Sequence, residues 1–178
     1  DQEEIIAKQI ELTLIPSPTY HEEKKAARLL EMFKEEGLTD CHIDEYGNCV
    51  GIRRGTGGGK TTLVEAHMDT VFNLDTKLEI VGENGFIKCP AIVDDTRGCA
   101  VVLSTIGALN AAGIETKGDI QFVGTVQEEG TGALKGMKYY VEHHPELQAS
   151  ISVDGDGYKE ITYEATGIQT YEVTFKGI

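Results

Sequence analysis

The chain of 178 residues is 40% apolar and 26% charged, which is ordinary for a globular domain that can bury its own core. Its 16 basic and 30 acidic residues give a net charge of −14, and such a surface repels a phosphate backbone, so nucleic acid is excluded as a partner. No apolar run of about 18 residues is present, and the first residues are acidic, so neither a membrane span nor a secretory signal is predicted.

In chain order, helices alternate with strands. Apolar residues at helical spacing predict a helix at 3–14, and a capping box at Thr19–Glu22 predicts that a second helix begins at Thr19 and ends at Gly37. Further helices are predicted at 96–112 and 131–143, a hairpin at 78–88, and strands at 41–46, 49–53, 61–66, 120–126, 149–153 and 169–176. This order predicts an α/β fold, a mixed and mostly parallel sheet with helices on both faces.

The last predicted strand, at 169–176, has no visible partner and would be an exposed edge. We therefore expect more sheet to follow in the parent protein.

A glycine-rich segment, GTGGGKT (55–61), is similar to a phosphate-binding loop. That motif needs a glycine where Arg54 stands and a helix directly after the Lys-Thr pair, whereas 61–66 is predicted to be a strand. The glycines are therefore interpreted as a flexible link, and nucleotide binding is not expected.

Groups of metal-binding residue types directly follow four apolar runs: His67 with Asp69, Asp94 with Asp95, Glu128 with Glu129, and Asp154. Any one of them is more often structural, as a hydrogen-bonded histidine or a helix cap. In an open α/β sheet, however, the carboxyl ends of parallel strands meet at one edge, where ligands bind. Four such groups therefore predict a site for a pair of divalent cations, since carboxylates can bridge two ions and imidazole can bind one.

The chain resembles the co-catalytic zinc peptidases typified by peptidase T, glutamate carboxypeptidase and aminoacylase. The resemblance is carried by HMDTV (67–71), AIVDDTRGCA (91–100), TVQEEGTGALKG (125–136) and SVDGDG (152–157), with weaker matches at 12–30 and 45–51. It implies a zinc-exopeptidase-like fold, with residues 1–160 as the N-terminal part of a catalytic domain. It also implies that 161–178 begin an inserted lid domain through which the protein could form a homodimer.

The resemblance implies that the metal ligands are His67, Asp94, Glu129 and Asp154. His67 and Asp154 would bind one ion and Glu129 the other, with Asp94 bridging the two. Asp69 would orient His67, and Glu128 would be the general base. The ions are expected to be zinc, although cobalt or manganese would suit the same ligands.

Two departures from the family pattern concern this site. Thr96 and Arg97 follow the paired aspartates where relatives have a basic residue first, so the basic residue is displaced by one position while the metal ligands are unchanged. The family also takes a histidine ligand from a later segment, and His143 and His144 are predicted to be surface residues instead. We therefore expect residues 1–178 alone to be nearly inactive.

The favoured function is hydrolysis of an amide bond in a small peptide by an exopeptidase such as a tripeptidase. The alternative with the same chemistry is deacylation of an N-acyl amino acid. Both substrates stay open because the lid that contacts the substrate is expected to lie outside the chain. A different class, a non-catalytic relative that binds metal or peptide, is disfavoured because only catalysis requires Glu128. The four cysteines form no CxxC pair and fit a reducing cytoplasm.

Overall fold

The structure, a computed structural model, describes residues 1–155, 157, 159–167, 169, 171 and 173–177. Its helices are α1 (Gln2–Thr13), α2 (Glu23–Glu35), α3 (Thr96–Ala111) and α4 (Lys135–His143), with a short 3-10 helix at Gly130–Gly132. Its strands are β1 (Thr39–Ile43), β2 (Cys49–Arg53), β3 (Thr61–His67), β4 (Val81–Glu83), β5 (Phe86–Lys88), β6 (Ile120–Thr125) and β7 (Leu147–Ser152).

Five of these strands form a mixed sheet in the order β1-β2-β6-β3-β7. Strand β3 runs parallel to both of its neighbours, β6 and β7, while β2 is antiparallel to its neighbours, β6 and the edge strand β1. The hairpin of β4 and β5 forms a separate two-stranded sheet. The predicted fold class, a mixed sheet with parallel central strands, is confirmed.

Alternation along the strands divides the core between the two faces of the sheet. Val64 and Phe122 pack into the larger cluster, together with apolar residues of α1, α2 and α3. Their neighbours Leu63 and Val123 point the other way and pack with Tyr140 of α4. Helices therefore cover both faces, as predicted, and each strand holds its register because a one-residue slip would exchange the two faces.

Helix α2 begins at Glu23, so the prediction that it begins at Thr19 was wrong. The two side chains of the expected capping box are used in tertiary contacts instead. Thr19 Oγ1 donates to Asp69 Oδ2 at 2.9 Å, and Glu22 Oε1 accepts the backbone N–H groups of Tyr20 (3.1 Å) and Gln127 (3.0 Å). These bonds tie the start of α2 to the loops that follow β3 and β6.

The last predicted helix also begins later than expected. Ala133 and Leu134 have positive φ angles of 54° and 61°, which interrupt a helix, so α4 starts only at Lys135. The glycine-rich link is followed by strand β3 rather than a helix, as predicted.

The predicted strand at 169–176 includes Thr170 and Glu172, which lie outside the described residues. Gln169, Tyr171 and 173–176 belong to none of the described strands. The proposed domain boundary near residue 160 stays a prediction. Among the residues that the structure describes, no helix is both long and apolar enough to cross a membrane.

Candidate metal centre

The predicted ligands come from the carboxyl ends of three adjacent strands and from one loop. His67 is the last residue of β3, Glu128 and Glu129 follow β6, and Asp154 follows β7. Asp94 lies in the loop directly before α3. Because β6, β3 and β7 are parallel neighbours, their carboxyl ends meet at the same edge of the sheet.

The structure brings these side chains together around His67. One nitrogen or oxygen from each of His67, Asp94 and Asp154 lies within 4.8 Å of the others, and the same holds for His67, Glu128 and Glu129. His67 Nε2 is 3.0 Å from Asp94 Oδ1 and 3.9 Å from Glu128 Oε2. All five side chains thus offer donor atoms to one small region, at a spacing that could hold a cation.

His67 is held in a single orientation by the chain around it. Its side chain is 3% exposed, and its Nδ1 lies 3.0 Å from the backbone oxygen of Asp69 and 3.5 Å from Asp69 Oδ1. With Nδ1–H donated in this direction, Nε2 faces the carboxylates as the free donor atom.

Asp69 connects the histidine to the two glutamates. Its carboxylate is fully buried, with Oδ1 accepting the N–H of Glu128 at 2.9 Å and Oδ2 accepting the N–H of Glu129 at 3.0 Å. Burial opposes ionisation, but these hydrogen bonds and the neighbouring His67 hold the pKa of Asp69 below its ordinary value. Asp69 therefore stays ionised, and it joins the loop after β3 to the loop after β6.

Asp95 has a structural role that the sequence reasoning did not assign. It is 2% exposed, Oδ1 accepts the N–H of Gly98 at 2.9 Å as the N-cap of α3, and Oδ2 accepts the N–H of His67 at 3.2 Å. Burial raises its pKa to about 8, against the opposing influence of His67. An aspartate directly before a predicted helix is a typical N-cap, and that signal could have identified it.

Two further buried charged residues next to the site were also missed. Glu65 on β3 is 5% exposed and lines a small cavity with His67, Glu128 and Asp154. Lys25 on α2 is 1% exposed, with Nζ 3.4 Å from Thr96 Oγ1. For Glu65, the one available signal was a charge inside the apolar run LVEA; the sequence contains no comparable signal for Lys25.

Arg97 and the late histidines have other contacts. The guanidinium of Arg97 donates to the backbone oxygen of Gly155, next to Asp154, rather than forming an ion pair with the paired aspartates. His143 and His144 stack on Tyr139 and Tyr140. Neither histidine belongs to a potential metal-binding group among the residues that the structure describes.

The electrostatics of the site favour a bound positive charge. Burial and the neighbouring carboxylates raise the pKa of Glu128 and of Glu129, although His67 opposes the change. Burial disfavours a charged His67, yet Asp69, Asp95 and Glu128 together raise its pKa to about 10. A proton on His67 or a divalent cation would supply the charge that these acids attract. One imidazole nitrogen with several carboxylate oxygens is a donor set that suits zinc, cobalt or manganese, so the residues present fit such an ion.

Comparison with known proteins identifies the class of protein to which this fold and site belong. The model of Peptidase family M20/M25/M40 matches residues 63–177, which is more than half of the chain and includes all six predicted site residues. The chain belongs to this family, and the predicted resemblance is confirmed.

Individual relatives agree with this assignment. The succinyl-diaminopimelate desuccinylase of Corynebacterium glutamicum is 29% identical over 143 residues, covering 80% of this chain and 38% of that enzyme. The aminopeptidase PepT of Bacillus cereus superposes with a TM-score of 0.75 at 25% identity, covering 88% of this chain and 44% of PepT. A tripeptidase of Staphylococcus aureus, at 24% identity, shares the fold with a TM-score of 0.71 over 88% of this chain and 44% of its own. The chain thus spans less than half the length of each of these relatives.

Proposed function

We propose that the protein is a two-metal hydrolase that cleaves amide bonds of small peptides, most simply as an exopeptidase, with zinc as the ion. Cobalt and manganese suit the same ligands. The observation that carries the proposal is the position of Glu128. Its carboxylate lies 3.9 Å from His67 Nε2, among the predicted ligands, while its backbone is held by Asp69.

Some of the side chains would bind the ions, and one would transfer protons. His67, Asp94, Glu129 and Asp154 would hold the ions, and Asp69 would keep His67 oriented. Bound ions would polarise the amide carbonyl and make water a better nucleophile. Glu128 takes a proton from the attacking water and delivers it to the leaving amine.

A second candidate function is deacylation of an N-acyl amino acid. The relative that is a desuccinylase favours it, while the PepT relative favours peptides. Both reactions cleave an amide bond with the same site and differ in the group next to that bond. A panel of short peptides and N-acyl amino acids, assayed on the complete protein with zinc, cobalt or manganese, distinguishes the two. Turnover confined to N-acyl amino acids would contradict the peptidase assignment.

The substitution Glu128→Gln tests the mechanism. It keeps the size of the side chain but removes the base, so turnover should fall by about 10²–10⁴-fold. The amount of bound metal should stay at the wild-type level, because Glu128 is not assigned as a ligand. Glu142→Gln on the exposed side of α4 is the matched control and should change neither quantity.

Two outcomes would contradict this mechanism. Hydrolysis by Glu128→Gln at close to the wild-type rate would remove Glu128 as the base. Absence of hydrolysis in the unmodified complete protein, despite bound metal, would favour the alternative of a non-catalytic relative that binds metal or peptide.

The family resemblance also underlies two proposals about the whole protein, and the cysteines underlie a third. Residues 161–178 would begin a lid domain that contacts the substrate and supports a homodimer. Residues 1–178 without the rest of the lid domain should be nearly inactive. We place the protein in the cytoplasm, because all four cysteines are unpaired in the structure, as a reducing compartment requires.

A further inference from the structure

Glu65 is a buried carboxylate in the middle of the sheet that the proposed mechanism does not use. It lies on β3 two residues before His67, and residues two apart on a strand point to the same face. Its side chain is 5% exposed. Burying a charge inside a sheet is costly unless hydrogen bonds satisfy it, and an apolar residue there would avoid that cost.

The hydrogen bonds of Glu65 reach both neighbouring strands. Its Oε2 accepts the hydroxyl of Thr125, the last residue of β6, at 2.9 Å. Its Oε1 accepts the hydroxyl of Ser152, the last residue of β7. One side chain on β3 thus connects the final residues of the two flanking strands.

These are the three strands whose ends carry proposed metal ligands. His67 ends β3, Glu129 comes four residues after Thr125, and Asp154 comes two residues after Ser152. The bonds therefore lie directly beneath the site, and Glu65 lines the small cavity there with His67 and Asp154. The backbone ladder continues past these ends, since Met68 N–H donates to Thr125 O at 2.7 Å and Val153 N–H donates to Glu65 O at 2.8 Å. Strands β6 and β7 are not neighbours in the sheet, however, so they are joined only through β3, and Glu65 adds a side-chain bond to each of them.

We propose that Glu65 is a positioning residue that holds the three ligand-bearing strand ends together, so that both ions find their ligands in place. This inference rests on the proposed function. Each bond has a separate consequence. The bond to Ser152 fixes Asp154, which is assigned to one ion with His67, whereas the bond to Thr125 fixes the approach to Glu129, which is assigned to the other ion.

The test compares the two hydroxyl partners in the complete protein. Ser152→Ala removes the bond to Oε1, and Thr125→Val removes the bond to Oε2 together with the longer contact of that hydroxyl with Ala66 O at 3.4 Å. Both metal dissociation constants are measured by competition with a chelator. We expect Ser152→Ala to weaken the binding of one ion and Thr125→Val the binding of the other. Each dissociation constant should rise by about 10-fold or more, as is typical for residues that orient ligands. The cobalt(II) absorption spectrum of each loaded variant reports whether the ligand geometry has changed. Ser150→Ala, two positions earlier on β7 and not a partner of Glu65, is the matched control.

Changes at Glu65 itself complete the design. Glu65→Val should weaken the binding of both ions. Glu65→Gln should bind both ions with close to wild-type affinity, because an amide can accept a hydrogen bond from one hydroxyl and donate one to the oxygen of the other. A purely structural role would lower the melting temperature of the metal-free variants and leave the cobalt spectrum and both constants unchanged. Wild-type constants in Ser152→Ala and Thr125→Val would overturn this inference alone, even if Glu65→Val failed to fold. Absence of metal binding by the unmodified protein would overturn the proposed function and this inference together.

Discussion

Replacing Asp69 with asparagine removes one acceptor atom and the negative charge from the centre of the site. In the wild type, Oδ1 accepts the N–H of Glu128 at 2.9 Å, while Oδ2 accepts both the N–H of Glu129 at 3.0 Å and the hydroxyl of Thr19 at 2.9 Å. Asparagine keeps one oxygen, which we expect to stay on the side with two donors. Its NH2 group then faces the N–H of Glu128, where two donors meet and no bond forms.

The size of the effect follows from the lost bond. A hydrogen bond to a charged acceptor contributes about 1.5–3 kcal/mol. If the loss acts on the metal-bound state, metal affinity falls by about 10- to 150-fold, since about 1.4 kcal/mol is a factor of 10. Substitution of residues that orient metal ligands costs about 10–100-fold in affinity, which agrees with this range. Because the displaced N–H belongs to the proposed base, we expect turnover to fall at least as much as affinity.

The assay is a metal-buffered titration of the complete protein with zinc, paired with urea unfolding of the metal-free form. Asp119→Asn is the matched control, because that carboxylate also accepts a backbone N–H, from Gly55 at 2.8 Å, but precedes the opposite end of β6. The Asp119→Asn protein should unfold at a lower urea concentration than the wild type but bind zinc with the same affinity. A folded Asp69→Asn protein that binds zinc as tightly as the wild type would refute the role assigned to Asp69.

Two further predictions concern packing and the ions. Gly98→Ala should destabilise the protein by about 1–3 kcal/mol in urea unfolding, because a methyl group there overlaps the Asp95 carboxylate and the backbone oxygen of Val153. Gly107→Ala on the same helix meets only the flexible end of Glu36 at 3.3 Å and should be neutral or stabilising; equal losses in both variants would contradict this explanation. Removing the ions with a chelator should lower the melting temperature, because zinc at 100 times its dissociation constant adds about 2.7 kcal/mol. A melting temperature that does not change when zinc is restored would contradict binding at this site.

Much of the fold could be predicted from the sequence, because helices and strands depend largely on local residue patterns. Apolar periodicity and glycine caps placed the main helices and strands within a few residues, and the alternation of helices with strands predicted the sheet class. The error at the start of α2 arose because two side chains form tertiary contacts in place of local ones. Thr19 and Glu22 form a typical capping box in sequence, but Asp69 and Gln127, distant along the chain, take their hydrogen bonds.

The candidate site divides in the same way. The sequence by itself determined which residue types stand at the ends of the strands, and hence that His67, Asp94, Glu128, Glu129 and Asp154 were worth testing as one group. It could not show the strand order, which depends on long-range pairing, and that order decides that β6, β3 and β7 lie side by side.

Only the tertiary structure revealed the residues that support the site. Asp95 binds the backbone of His67, and Glu65 connects the ends of three strands; the sequence marks Asp95 only as a helix cap and Glu65 only as a charge in an apolar run. Such roles are invisible in sequence because they depend on which distant group fills the space beside a buried carboxylate. Candidate ligands can be proposed from their residue type and position, whereas the hydrogen bonds that orient them are decided by packing.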